Sequence, residues 1–106
     1  MSFRHLIIRD VEGKRRVDGA DLPLRIGTGA DSTLRLPGPG GVSLILLDIL
    51  DGAPFVQPVN RDAAVTLNGE ALTASRRLSD GDELEFYGSR VLVRAGDELV
   101  LEVHLE

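Results

Sequence analysis

Residues 65–93 read VTLNGEALTASRRLSDGDELEFYGSRVLV. Two turn dipeptides, Asn68-Gly69 and Asp80-Gly81, each stand beside a short apolar run. Asn-Gly and Asp-Gly supply the positive φ angles that tight hairpin turns need. After Asp80-Gly81 the pattern alternates: Leu84 and Phe86 point one way, and Glu83, Glu85 and Tyr87 the other. A period of two marks a half-buried strand. Val91 and Val93 then alternate with Arg90, Leu92 and Arg94. The stretch therefore predicts a series of short strands and turns, with no nucleophile, ligand cluster or phosphate loop inside it.

Outward from this stretch the same signals recur. Phe3–Asp10 is a predicted strand centred on Leu6, Ile7 and Ile8. Glu12-Gly13 opens a turn that puts Lys14, Arg15 and Arg16 at a solvated hairpin tip. Leu22, Leu24 and Ile26 alternate with Pro23 and Arg25, and a proline in such a run marks a strand end or edge. Thr33–Leu36 and Phe55–Val59 are further strands, and Pro37-Gly38-Pro39-Gly40-Gly41 is the strongest loop signal. Val42–Leu50 predicts a strand apolar on both faces: Ile45, Leu47 and Ile49 on one, Leu44, Leu46 and Leu50 on the other. A sandwich strand has one outward face. Leu44 or Leu46 is therefore expected in an exposed apolar patch. The last strand, Glu98–Leu105, turns Leu99, Leu101, Val103 and Leu105 inward. The count is roughly ten to eleven short strands with no helix, the pattern of an all-β sandwich or barrel.

Composition sets the outer limits. The 106 residues fit one domain, residues 1–106, and 42% apolar content argues against disorder. No cysteine is present, which excludes disulfides and thiolate metal sites and favours a reducing compartment. A net charge of −5 argues against a nucleic-acid partner. No apolar run approaches the roughly 20 residues of a spanning helix, and MSFRHLIIRD lacks the apolar stretch of a signal peptide. The expectation is a cytoplasmic chain without a membrane span.

Catalytic chemistry is poorly supported. His5 and His104 approach each other if the first and last strands pair, but a third metal ligand at a recognisable spacing is missing. Glu83 and Glu85 share a strand face that is ordinarily solvated, and Ser43 has no base beside it in the sequence. Gly27-Thr28-Gly29 is no phosphate loop, because the Gly-Lys-Ser/Thr ending and the following helix are absent. No enzyme activity, metal or cofactor is expected.

From about Leu22 to Val93 the chain resembles the forkhead-associated (FHA) domain. The resemblance is carried by Ile26-Gly27-Thr28, Thr33-Leu34-Arg35-Leu36, Val42-Ser43-Leu44-Ile45-Leu46, Val65-Thr66-Leu67-Asn68-Gly69 and Leu78-Ser79-Asp80-Gly81-Asp82-Glu83-Leu84. It implies an eleven-stranded β-sandwich that reads phosphothreonine peptides with the loops at one end. It further implies that the first and last strands lie side by side with the termini together, away from the loops of Thr28, Ser43 and Asn60. The scaffold positions match: Gly27, Ser43, Asn68, Gly69, Gly81 and Asp82. The reading positions do not. Thr28 and Leu44 stand where the family has arginines, Leu46 where it has histidine, and Asn60 is the nearest counterpart of the loop asparagine. The expected function is therefore phosphate-independent protein–protein interaction within a larger assembly or longer protein, with weak self-association in view. The partner-binding set is Thr28, Ser43, Leu44, Leu46, Asn60, Arg61 and Asn68. Two alternatives stay open: a phosphothreonine reader using Arg25, Arg35 or Arg61, and a small ligand-binding β-barrel.

Overall fold

The computed structural model describes residues 2–60 and 64–105. Twelve strands are found among them: β1 (His5–Asp10), β2 (Gly13–Asp18), β3 (Leu24–Gly27), β4 (Leu34–Arg35), β5 (Ser43–Leu50), β6 (Ala53–Pro58), β7 (Val65–Leu67), β8 (Glu70–Ala71), β9 (Arg76–Arg77), β10 (Glu83–Phe86), β11 (Ser89–Ala95) and β12 (Leu99–His104). A single 3-10 turn, Gly19–Asp21, joins β2 to β3. The strands form two mixed sheets, β2-β1-β12-β11-β10-β7-β8 and β4-β3-β5-β6-β9. Both sheets have free edges, so the fold is an open all-β sandwich and not a closed barrel.

The core between the sheets is aliphatic, with Phe86 as its one fully buried aromatic residue. Leu24, Ile26, Leu34, Leu47, Leu84, Phe86 and Val91 are all buried, as the alternation predicts. Three two-residue turns close hairpins with both central residues at positive φ: Asp51-Gly52, Asn68-Gly69 and Tyr87-Gly88. That geometry matches the twist of paired strands. At Asp80-Gly81 only the glycine is at positive φ, and the turn is held by Asp82 N–H donating to the Ser79 carbonyl.

Four sequence expectations change in the folded chain. Lys14, Arg15 and Arg16 lie within the edge strand β2, and the hairpin tip is Val11-Glu12. Leu44 is fully buried. Ser43 pairs with Gly27 and Ile45 with Ile26, so Leu44 is an extra residue, a β-bulge. The bulge resets the alternation, and Leu44 and Ile45 both enter the core in succession. Leu105 lies past the end of β12 and is exposed. Finally, β1 and β12 do pair, but in parallel, with Ile7 opposite Val100 and Arg9 opposite Glu102. The termini therefore leave from opposite ends of this pair. His5 lies beside Glu98, with Nε2 3.6 Å from Oε2, while His104 pairs with Arg90 at the other end.

Candidate functional site

Strand directions sort the loops into two groups. β3 ends and β5 begins at the level of Gly27 and Ser43. β6 rises antiparallel to β5 and delivers Val59 and Asn60 to the same level, where both backbone N–H groups donate to the Leu44 carbonyl at 3.0 and 3.4 Å. The Thr28 and Gly29 N–H groups donate to the Val42 carbonyl at 2.9 and 3.3 Å. Thr28 is buried, and its Oγ1 donates to the Pro39 carbonyl at 3.0 Å and accepts from Val42 N–H at 3.2 Å. One hydroxyl thus staples the Pro-Gly loop to the start of β5.

Glycines make this closure possible. A Cβ on Gly27 would stand 2.3 Å from the Val42 carbonyl oxygen and 2.8 Å from Ser43 Cα. At Gly38 it would meet the Thr28 methyl at 2.8 Å and the Tyr87 ring at 2.9 Å. Gly38 therefore places the Tyr87-Gly88 hairpin at the same end as Thr28. Since β12 runs antiparallel to β11, and β1 parallel to β12, the Val11-Glu12 hairpin and Leu105 also lie at this end.

The structure gathers Thr28, Ser43, Leu44 and Asn60 at the loop end. Thr28 and Leu44 are buried there, so neither side chain offers a surface. Ser43 is half-buried in register with Gly27. Leu46 is half-buried on the outer face of its sheet, between Arg25 and Gln57. Arg61 lies outside the described residues. Asn68 is at the far end: Leu67 pairs with Leu84 below Val65 and Phe86, and the turn follows. Its side chain donates to Asp82 Oδ1 and accepts from Glu83 N–H, both at 2.9 Å, which makes it a turn-fixing residue.

Two of the candidate arginines flank the Thr28 loop. Arg35 Nε donates to the Thr28 carbonyl at 3.3 Å, and Arg25 Nη1 stands 3.6 Å from Asp31 Oδ2. Arg15 reaches across the open edge of the sandwich, where Nη2 donates to the Thr33 carbonyl at 2.7 Å. These guanidiniums bind their own chain and do not converge on Ser43.

The alternation already turns Tyr87 and Leu50 outward, but it does not single out Val11 or Val59 and turns Leu105 inward. Among the described residues, five large apolar side chains are exposed: Val11, Leu50, Val59, Tyr87 and Leu105. Four of them sit at the loop end, and only Leu50, beside the Asp51-Gly52 hairpin, sits at the other. Tyr87 is 41% exposed and holds φ at 46°, a left-handed conformation that costs a non-glycine residue roughly 1–2 kcal/mol. A signal for that turn was present. Phe86 and Val91 both face inward at an odd spacing of five, which an unbroken strand cannot satisfy.

No protein-family model and no curated protein matches the chain. Among the described residues, no helix is long and apolar enough to cross a membrane.

Proposed function

We propose that this domain is a protein-interaction module whose loop end docks a protein or peptide without requiring a phosphate. The observation that carries the reading is the placement of Val11, Val59, Tyr87 and Leu105 at one end of the sandwich. Single exposed apolar residues are ordinary, but their segregation to one end is a mark of interaction surfaces. Tyr87 adds to it: an exposed aromatic in a strained backbone is a feature concentrated at binding sites.

The forkhead-associated resemblance supports the interaction class and the position of the site. The clustering of the Thr28, Ser43 and Asn60 loops is what the resemblance implies, whereas the parallel β1–β12 pairing and the termini at opposite ends count against it. Phosphate reading has weaker support. A phosphate needs charge-assisted donors, best supplied by arginine forks. Leu44 is buried, and Arg25 and Arg35 are engaged elsewhere. Hydrogen bonds to charged groups contribute roughly 1.5–3 kcal/mol each, so losing one or two moves a micromolar affinity to about 0.1–10 mM.

Two measurements test the proposal. Calorimetry with a degenerate phosphothreonine library at physiological salt is expected to show no phosphate-dependent binding. Saturable binding tighter than about 50 μM that disappears on dephosphorylation would favour the phosphothreonine reading instead. Partner capture from the natural host is expected to weaken with Tyr87→Ala or Val11→Ser and to be unaffected by Leu50→Ser. Equal loss for Leu50→Ser removes the loop end as the docking surface.

A further inference from the structure

We infer that β2 is a strand-addition edge that recruits an extended partner segment carrying carboxylates at alternate positions. This is a second surface, and it does not rest on the loop-end reading. β2 is the longest strand at a free sheet edge, six residues that offer roughly 20 Å of backbone, and among the described residues nothing pairs with its outer side. Its first four residues are exposed. An unpaired edge of this length is a template for another strand unless it is blocked.

Charge selects the occupant. Arg15 and Val17 are register partners of the buried Ile8 and Leu6, so they lie on the inner face. Lys14 and Arg16 therefore lie on the outer face, two residues apart. Lys14 makes no ion pair among the described residues, and the Arg16–Asp18 contact of 2.6 Å joins two side chains that are each more than half exposed. Directly opposed charges of unlike sign stabilise a strand pair, and like charges destabilise it. A second copy of this chain added antiparallel about Arg15 would set Lys14 against Arg16 twice. The basic pair thus disfavours self-pairing and favours a strand with acidic residues at i and i+2.

A groove of ≈ 510 Å³ runs between the β1–β2 hairpin and β4, and charged residues of both signs line it, among them Asp10, Glu12, Arg15 and Arg35. It therefore sets no charge preference, and the spacing of the carboxylates is set by Lys14 and Arg16. Apolar β-branched residues between the carboxylates suit an extended strand.

The probe is a capped hexapeptide alternating Glu and Val, with its Lys–Val counterpart as control. Both are titrated into the isotope-labelled chain by NMR. The expected result is a saturable shift of the Gly13–Asp18 amides with the acidic peptide, and slowed amide exchange along β2. The double variant Lys14→Glu, Arg16→Glu, exposed at both positions, is expected to keep the dispersed spectrum. It should bind the acidic peptide about tenfold more weakly and prefer the basic one. No saturable shift at about 1 mM, or equal binding of both peptides, overturns the inference. Shifts confined to Val59 and Tyr87 also overturn it while leaving the loop-end reading intact.

Discussion

At one end of the sandwich, carboxylate and amide side chains hold the turns; at the other, backbone carbonyls hold most of them. Asp82 Oδ2 accepts from Ser79 N–H at 2.7 Å, Asp80 Oδ1 from Ala95 N–H and Asn68 Oδ1 from Glu83 N–H. The hairpin end thus spends its polar side chains on its own backbone. At the loop end the carbonyls of Val42, Pro39 and Leu44 take most of that role, joined by the Thr28 hydroxyl, by Arg35 Nε donating to the Thr28 carbonyl and by Asp10 Oδ1 accepting from Glu12 N–H. Glycine permits the close backbone approach, and Val11, Val59, Tyr87 and Leu105 are exposed at this end. The two ends are thus held by different chemistry.

The sharpest contrast lies between adjacent residues under the loop end. Phe86 is fully buried, whereas Tyr87 is 41% exposed. Phe86→Ala should cost about 3–5 kcal/mol, from lost transfer energy and the cavity left behind. Denaturant titration checks it, and a cost below about 1 kcal/mol would contradict the burial.

Gly27→Ala tests the loop end's dependence on backbone contact. The new methyl meets a carbonyl oxygen and a Cα, neither of which can swing aside. The expected loss is about 2–3 kcal/mol, in the range of overpacking. A neutral result by thermal melting would mean that β3 and the β5 bulge are not held this closely.

Asn68→Ala tests the hairpin end. It removes two side-chain hydrogen bonds and leaves alanine at a φ of 52°. The loss should be about 1–2 kcal/mol. Partner binding should be unchanged, and a binding defect in a folded Asn68→Ala protein would return this residue to the interaction site.

The smallest expected effect on stability is Tyr87→Gly. Glycine relieves the left-handed backbone while an exposed ring is lost, so the change should stay within about 0.5 kcal/mol. Binding at the loop end should nonetheless fall. A large drop in melting temperature would make Tyr87 a structural residue and blur the distinction between the two ends.

The strands were readable because their alternation is local. Burial of one face writes a period of two directly into neighbouring residues, as at Leu84–Phe86 and Val91–Val93. The turns at Asn68-Gly69 and Asp80-Gly81 were readable for a similar reason, since backbone sterics act over a few residues. The candidate site was less legible. Leu44 looked like an outward residue because a bulge becomes visible only when β3 is laid against β5. Asn68 looked like part of the site because a motif match says nothing about which end of a sheet a turn occupies.

By itself, then, the sequence determined an all-β chain of short strands, its principal core residues and two of its tight turns. Tertiary structure alone decided the parallel pairing of β1 with β12, and with it the separation of the termini and of His5 from His104. It also decided which exposed apolar residues share an end, and that β2 stands at a free edge beside a groove. The physical reason is range. Side-chain periodicity and turn sterics are fixed by residues a few positions apart, whereas strand order and direction are fixed by contacts between segments as distant as Ile7 and Val100.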